Sequence, residues 1–349
     1  MQCMRLRFNL NIMLQQIRIT GFRNSAGSVQ NIDVCFQLFG RKLGTAPVIL
    51  VNHALTGNAQ VCGSGGWWSD IVGPGASIDT DQFSIICINI PGNGILKNDE
   101  DNFHNYKEFT LNDIARIQVK VLEHLNITEL FAIIGASIGG ALAWQLAALK
   151  PDLALHVIPI ATDLKSTDWL LANCKIQDRI LNNSENPLED ARMHAMTFYR
   201  TPQSLSYKFR NEKDETTNSF KVENWLEHHG SKLRSRFSLS SYKLMNHLLT
   251  TINISNDSQS AIEVAARVKG HIHMITIDTD LFFLAEENWN TYVELSLFKN
   301  NVSIHEIKSI HGHDAFLIET DQVAKFLEPI FQQKNYTNEN NKSRSVWAG

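Results

Sequence analysis

Short apolar runs rich in β-branched residues recur along the chain and predict eight strands. In chain order they are QQIRIT, IDVCFQLF, APVILVNH, FSIICINI, LFAIIG, LHVIPIA, IHMITID and VSIHEIK. Several are almost continuously apolar, which is typical of strands buried on both faces of a parallel sheet. Helical patterns separate them; TLNDIARIQVKVLEHLN, with Thr110 as a candidate N-cap, lies between the fourth and fifth runs. The alternation predicts an α/β fold with a mostly parallel eight-stranded sheet covered on both faces.

The alternation of strands and helices stops between about residues 163 and 262. This stretch is helical in pattern, richer in charged and aromatic residues, and contains no strand pattern. The sheet pattern then resumes. We therefore expect a helical cap at 163–262, inserted into an α/β core formed by residues 15–162 and 263–332. The polar, Asn-rich end of the chain, 333–349, is expected to be a disordered tail.

Composition, net charge and cysteine content exclude several classes of protein. The chain has 349 residues and a net charge of −4 with interspersed signs, so no basic face indicates nucleic acid or an anionic membrane. Its five cysteines are scattered and never form a C-x-x-C pair, which favours reduced thiols in the cytoplasm over disulfides or a zinc site. The sequence contains no signal-peptide pattern and no apolar run of membrane-spanning length. Without a His/Cys cluster of metal-ligand spacing, no metal is expected.

A candidate catalytic residue lies in a short glycine-containing motif where a predicted strand turns sharply into a predicted helix. Gly135-Ala136-Ser137-Ile138-Gly139 fits G-x-S-x-G, with a predicted strand before it and a predicted helix after it. Small residues are needed on either side of the serine, because the backbones of the strand and the helix approach each other closely at this turn. The helix that begins at Ile138 directs N–H groups and a positive dipole towards any oxyanion formed there. A purely structural strand-to-helix turn has the same glycine pattern, but the flanking elements favour Ser137 as a nucleophile.

A serine nucleophile needs a base, and the base needs an orienting acid. Folds of this class supply them in the chain order Ser, Asp, His. Asp278 and Asp280 follow a predicted strand, and His311 and His313 follow the last one. Both pairs lie at the carboxyl ends of strands, where α/β sheets place their sites. The residues alone do not choose between the two aspartates or between the two histidines.

A set of longer motifs resembles one family. HALTG, GWW…GPG…IDT, ARMHAMTFYRT and GHDAFL occur in the order in which they occur in the homoserine O-acetyltransferases, α/β-hydrolase-fold enzymes of methionine biosynthesis. The resemblance runs from roughly residue 15 to 330. Compared with that family, the acidic donor-side loop from Pro91 to Glu108 and the lid between Ser137 and Arg192 are shortened.

The resemblance implies a role for each matching position of the catalytic machinery. Ser137 matches the nucleophile, Asp280 the acid and His313 the base. Leu55, within HALTG, would provide one oxyanion N–H and Ile138 the other. These roles imply that an acyl group is held on Ser137 during the reaction.

The resemblance also implies substrates. Arg192 matches an arginine that contacts the amino-acid substrate, and Asp314 matches its acidic partner. We therefore expect acetyl transfer from acetyl-CoA, as co-substrate, to the hydroxyl of L-homoserine in the cytoplasm, without a bound cofactor and by a homodimer formed through the cap. The alternatives are an esterase or thioesterase that uses water, an acyltransferase that uses succinyl-CoA or serine, and a non-catalytic scaffold.

Overall fold

The computed structural model describes residues 14–95 and 103–332. The predicted tail at 333–349 and the acidic centre of the donor-side loop, 96–102, lie outside the described residues. The strands of the described part are β1 (Gln15–Arg23), β2 (Val29–Gly40), β3 (Val48–Asn52), β4 (Val72–Gly73), β5 (Ile78–Asp79), β6 (Ser84–Ile88), β7 (Leu130–Ala136), β8 (Ala154–Ile160), β9 (His271–Ile277) and β10 (Val302–Ile307).

Eight of these strands form one sheet in the order β1-β2-β6-β3-β7-β8-β9-β10. The pairs β1–β2 and β2–β6 are antiparallel, and the other neighbours run parallel. All eight predicted runs lie in this sheet, so the predicted mostly parallel α/β architecture is confirmed. The two-residue strands β4 and β5 were not predicted, because segments so short show no periodicity.

The helices lie mainly between consecutive parallel strands and in the stretch between β8 and β9. They are α1 (Leu111–His124), α2 (Ile138–Leu149), α3 (Asp168–Asn183), α4 (Pro187–Tyr199), α5 (Pro202–Phe209), α6 (Lys221–Arg234), α7 (Leu239–Thr250), α8 (Ala261–Ala266), α9 (Ala285–Ser296), α10 (Ala315–Ile318) and α11 (Thr320–Phe331). Two 3₁₀ turns precede helices: Tyr106–Glu108 lies before α1 and Gly312–Asp314 before α10.

Helix α1 illustrates how local sequence sets an element. The Thr110 side chain accepts a hydrogen bond from the Asp113 amide, and the Asp113 carboxylate accepts one from the Thr110 amide. This capping box satisfies two N–H groups that would otherwise lack partners at the helix start. Ile114, Ile117 and Val121 follow at helical spacing and are buried against the sheet side of the core. The predicted N-cap is confirmed.

The sheet separates two apolar clusters, one on each face. Ile133 belongs to one cluster and its neighbour Ile134 to the other. Ile86 and Ile85 on β6 divide in the same way. Successive side chains of a strand point to opposite faces, so continuous apolar runs are what a sheet covered on both faces requires.

Helices α3 to α7 occupy most of the stretch predicted as a cap. Helix α4 packs against α3 and α6 and contacts the Gly312–Asp314 turn, so it reaches the carboxyl edge of the sheet. Helix α5 was not predicted separately, since its eight residues are too few for a clear helical period. The division into core and cap at 163 and 262 remains a prediction. Within residues 14–95 and 103–332, no helix is long and apolar enough to cross a membrane.

Candidate active site

Ser137 lies on a strained corner between β7 and α2. Its backbone has φ 58° and ψ −129°, a left-handed conformation that is unfavourable for a residue with a Cβ. The Ser137 amide donates to the carbonyl oxygen of Ile160 on the neighbouring strand at 2.8 Å, which holds the corner in place. A Cβ at Gly135 would overlap the carbonyl oxygen of Gly139, and one at Gly139 would lie 2.6 Å from the Asn52 carbonyl oxygen. The backbone crowding inferred from G-x-S-x-G is therefore present.

Asp280 and His313 form a buried acid–base pair at the same edge of the sheet. Their side chains are 33 positions apart, with 2.7 Å between His313 Nδ1 and Asp280 Oδ2. The second oxygen, Oδ1, accepts the amides of Phe282 at 2.7 Å and Phe283 at 3.0 Å. Both side chains are at least 95 % buried. With three donors directed at its carboxylate, Asp280 is fixed in orientation and in turn orients the imidazole.

The other aspartate and the other histidine have different partners. Asp278 Oδ1 accepts the amide of Ser309 at 3.0 Å, and its Oδ2 lies 3.7 Å from Lys308 Nζ. His311 Nδ1 lies 2.8 Å from Arg200 Nη2 and 2.9 Å from Ser204 Oγ. The structure thus brings together the same aspartate and histidine that the family resemblance selects.

Aromatic rings surround the His313 imidazole. The centroids of Phe282, Phe283, Tyr199 and Phe316 lie 5.2, 5.6, 5.6 and 5.8 Å from the imidazole centroid, respectively. Such surroundings exclude water and strengthen charge interactions within the site. Tyr199 is itself buried, and burial raises the pKa of its hydroxyl well above the usual value. Its hydroxyl therefore stays protonated as a hydrogen-bond donor.

The segment that carries Leu55 is held by a neutral histidine and by an arginine of the helical insertion. His53 Nδ1 donates to the Ala54 carbonyl oxygen at 2.8 Å, while Nε2 accepts the Ile90 amide at 2.9 Å. Burial lowers the pKa of His53 to about 4, so it fixes the loop rather than acting as a base at neutral pH. Arg236 Nη1 donates to the Thr56 carbonyl oxygen at 2.8 Å.

The two amides proposed for the oxyanion are free to donate. Neither the Leu55 N–H nor the Ile138 N–H has an acceptor within the described part of the chain. Ile138 is the first residue of α2, so its N–H has no intrahelical partner. Both residues are buried, where an unpartnered N–H is unfavourable unless a ligand accepts its hydrogen bond. This arrangement suits stabilisation of a transient oxyanion.

Arg192 and Asp314 lie beside the acid–base pair without forming an ion pair. The Arg192 guanidinium carbon is 5.5 Å from the Tyr199 ring centroid, and Tyr199 contacts His313. Burial raises the pKa of Asp314, although Arg192, His313 and Arg200 favour its charged form. Among residues 14–95 and 103–332, neither Arg192 nor Asp314 has an ion-pair partner. A half-buried cation and an acid are therefore left for a ligand.

A second buried carboxyl group, Asp163, lies close to Asp280. Its side chain follows β8, and its Oδ1 accepts a 2.6 Å hydrogen bond from Asn288 Nδ2. Its Oδ2 has no hydrogen-bond partner among the described residues. Burial, together with the negative charges of Asp280 and Glu287, raises the pKa of Asp163 well above its usual range. The protonated form of Asp163 is thereby favoured, and a second negative charge beside Asp280 is avoided.

Replacing this group by its neutral isostere, Asp163→Asn, should stabilise the protein increasingly as the pH rises. The pKa of Asp163 is higher in the folded state than in the unfolded state. The folded wild type therefore keeps a proton that the unfolded chain loses above about pH 4, and its stability falls as the pH rises. We expect the variant's gain in unfolding free energy, measured in urea, to be at least about 1 kcal/mol larger at pH 8 than at pH 4. An equal difference at both pH values would contradict a raised pKa.

Three residues of the site were not identified from the sequence. Tyr199 lies seven positions after Arg192, a spacing that places both on one face of α4, so the signal was present in ARMHAMTFYRT. Asp163 follows a predicted strand just as Asp280 does, and the same strand-end argument applies to it. Gln177 is buried on α3 and lines a small cavity together with Leu55 and Tyr199, but a single glutamine in a helical pattern carries no such signal.

The described residues contain no group of three or more His, Cys, Asp and Glu side chains arranged to hold a metal ion. What the described part does contain is an acid–base pair, two unpartnered amides and a serine on a strained corner, all at the carboxyl edge of one sheet. Together these groups can support covalent acyl transfer.

Comparison with known proteins identifies the protein family to which a chain with this fold and these site residues belongs. The sequence model of the α/β hydrolase fold family matches residues 47–242. A homoserine O-acetyltransferase of Methanobrevibacter ruminantium is 30 % identical over 351 aligned positions, covering 89 % of this chain and 71 % of the relative. A homoserine O-acetyltransferase of Carboxydothermus hydrogenoformans is 29 % identical, covering 81 % of this chain and 85 % of its own.

Solved structures show the same fold. The homoserine O-acetyltransferase from Bacillus anthracis superposes with a TM-score of 0.83 at 18 % identity, over 92 % of this chain and 98 % of that one. Esterase E22 superposes with a TM-score of 0.81, also at 18 % identity, over 92 % of this chain and 100 % of its own. A transferase and an esterase superpose almost equally well. These structural likenesses therefore establish the fold, and the identity of the acyl acceptor has to be inferred from the side chains of the site.

Proposed function

Because the chain belongs to the homoserine O-acetyltransferase family of α/β-hydrolase-fold enzymes, we propose that it transfers the acetyl group of acetyl-CoA to the hydroxyl of L-homoserine. The transfer would proceed through an acetyl ester on Ser137 and would serve methionine biosynthesis. In this proposal the protein acts in the cytoplasm as a homodimer formed through the cap, without a metal or a bound cofactor.

The unpaired guanidinium of Arg192 is the observation that carries this proposal. It lies above the Tyr199 ring, which in turn contacts the His313 imidazole, and it has no counter-ion among the described residues. A second cation, Arg236, lies nearby: burial and, to a smaller extent, the charge of Arg192 lower the pKa of Arg236. An amino acid would supply a carboxylate for the fork of Arg192 and an ammonium group for Asp314. An esterase that uses water has no need of such a pair.

In the first half-reaction, His313 takes the proton of Ser137 while the serine oxygen attacks the thioester carbonyl of acetyl-CoA. Asp280 stabilises the imidazolium that forms, because its carboxylate is fixed 2.7 Å from Nδ1. The N–H groups of Leu55 and Ile138 bind the tetrahedral oxyanion. The carbon–sulfur bond then breaks, and the thiolate of CoA leaves with the proton returned by His313.

In the second half-reaction, the homoserine hydroxyl gives its proton to His313 and attacks the acetyl carbon. The same oxyanion N–H groups stabilise the second tetrahedral intermediate. The bond to Ser137 breaks, and the serine regains its proton from His313. Transfer to homoserine rather than to water requires that the hydroxyl be positioned, and Arg192 and Asp314 supply that positioning.

The test is an assay of CoA release from acetyl-CoA and from succinyl-CoA, each alone and with L-homoserine or L-serine, with mass spectrometry of the products. We expect slow CoA release from acetyl-CoA alone and a marked acceleration by homoserine, with O-acetylhomoserine as product. Release that neither amino acid accelerates, without any O-acylated amino acid, would refute the transferase and identify a hydrolase.

Arg192→Lys should impair the use of the acceptor more than the use of the donor. Lysine keeps the charge but loses the bidentate fork, so the KM for homoserine should rise about ten- to a hundredfold. Acetylation of Ser137 in the absence of homoserine, followed by mass spectrometry, should proceed at a rate near that of the wild type. Equal losses in both half-reactions would show that Arg192 does not contact the acceptor.

A further inference from the structure

Four histidines lie together on three neighbouring strands of the sheet, and we call them the histidine cluster. They are His156 on β8, His271 and His273 on β9, and His305 on β10. Alternation along each strand places all four on the face that carries Ile158, Ile275 and Ile307. Asp280 and His313 follow the carboxyl ends of β9 and β10, so the cluster is separate from the active site.

Two nitrogens of the histidine cluster already lie near the separation of two ligands of one metal ion. His156 Nδ1 and His273 Nε2 are 3.1 Å apart, although the two residues are 117 positions apart in the chain. Tetrahedral Zn²⁺, with Zn–N bonds of about 2.0–2.1 Å, holds its nitrogen ligands about 3.3 Å from each other. An ion between these nitrogens would replace the proton of their hydrogen bond.

Ser303 on β10 orients one member of this pair. His273 Nδ1 lies 3.2 Å from Ser303 Oγ. The assignment that satisfies both contacts places a proton on His273 Nδ1, donated to Ser303, and leaves the lone pair on Nε2 facing His156. An outer partner of this kind fixes the tautomer of a metal-ligating histidine. When an ion binds, the proton of His156 Nδ1 moves to Nε2 of the same ring, so both imidazoles stay neutral.

The surroundings of the pair favour the neutral imidazoles that ligate metals. Burial and, to a smaller extent, the other histidines of the cluster lower the pKa of His156 to about 4 and that of His273 to about 3. Few protons therefore compete for these nitrogens at neutral pH. Lys299 contributes a positive charge near His271, but its ammonium group donates to the Val268 carbonyl oxygen at 2.7 Å rather than to the cluster.

His271 is the available third ligand. Its Cα is the register partner of the His156 Cα, and its ring is stacked on that of His273 with 4.1 Å between centroids. As the rings lie, no three His, Cys, Asp or Glu side chains of the described residues are arranged around one ion. The His271 ring is partly exposed, so it has room to rotate towards the pair. His305 is held instead against Phe326, with 4.9 Å between ring centroids.

We propose that the histidine cluster binds one divalent transition-metal ion of the zinc type, with His156 Nδ1 and His273 Nε2 as preformed ligands and His271 as the third. Imidazole nitrogens suit Zn²⁺ and its neighbours in the transition series, and water completes the tetrahedron. The ligands come from two strands, so the bound ion ties β8 to β9 and stabilises the folded state. The ion takes no part in the chemistry at Ser137.

Calorimetric titration with ZnCl₂ at pH 7, on the full chain after treatment with EDTA and dialysis, tests the site. We expect one ion per chain in the wild type and binding at least about a hundredfold weaker in His273→Gln. Zn²⁺ should raise the urea midpoint of unfolding of the wild type and leave that of the variant unchanged. The matched control is His124→Gln, at an exposed histidine that ends α1, and it should bind as the wild type does.

Ser303→Ala tests the site without removing a ligand. Loss of the partner of His273 Nδ1 should weaken Zn²⁺ binding about tenfold. Its control is Ser296→Ala, because the Ser296 hydroxyl donates to the Val293 carbonyl oxygen on α9, away from the cluster. Absence of stoichiometric binding to the wild type would overturn the proposal, and so would unchanged affinity in His273→Gln or Ser303→Ala. If His273→Gln fails to fold, the comparison of Ser303→Ala with Ser296→Ala decides.

Discussion

Asn in place of Asp280 is expected to lower turnover by about 10⁴-fold, the loss typical of a triad acid. In the wild type, Asp280 Oδ2 accepts from His313 Nδ1, and Oδ1 accepts two backbone amides. An asparagine satisfies those amides with its carbonyl oxygen and then presents an NH₂ group to Nδ1. The imidazole must then place its proton on Nε2, the nitrogen that would accept the proton of Ser137. The steady-state rate of CoA release with homoserine measures this effect.

Asp278→Asn is the matched control for Asp280→Asn. It makes the same chemical change two positions earlier, at a side chain that accepts the Ser309 amide and lies near Lys308. Its effect on turnover should be within a few-fold, because its carboxylate does not meet the imidazole. If Asp278→Asn were the more damaging of the two, the acid would be misassigned. Unfolding in urea should show both variants folded, which separates loss of chemistry from loss of structure.

Ala in place of Ser137 should abolish acyl transfer altogether. The substitution removes one oxygen from a corner whose conformation, φ 58°, is set by the backbone and is about as unfavourable for alanine as for serine. The fold should therefore persist while the covalent step disappears. After mixing with acetyl-CoA, intact-mass spectrometry should detect an acetyl adduct on the wild type, mapped to Ser137 by peptide analysis, and none on the variant. An adduct at Cys62 or Cys87 would overturn the assignment.

Cys62 and Cys87 are buried, so an acetyl adduct on either of them would be unexpected and would clearly contradict the assignment of Ser137. Burial raises the pKa of the Cys62 thiol to about 11, and it raises the pKa of the Cys87 thiol even further above its usual range. At neutral pH both remain largely protonated thiols, which are poor nucleophiles. An acetyl group on either would therefore require a different structure around them.

The sequence alone determined the eight strands, the helix after Thr110 and the sharp corner at Ser137. Each depends on signals within a short window: apolar periodicity, a capping pattern, or small residues where backbones crowd. The resemblance to a family added Asp280 and His313, a choice that local patterns had left open between two aspartates and two histidines. The boundaries of the cap and the role of each site residue remain predictions.

Only the tertiary structure decided which side chains meet. Asp280 and His313 are 33 positions apart, and the Asn288–Asp163 bond spans 125 positions. Such meetings depend on the order of strands in the sheet and on how helices pack over its carboxyl edge, which no short window of sequence encodes. The absence of an ion-pair partner for Arg192 among the described residues is likewise visible only after folding, because it depends on every side chain packed around it. Local sequence set the elements through backbone sterics and periodicity, and long-range packing brought their polar side chains together into one site.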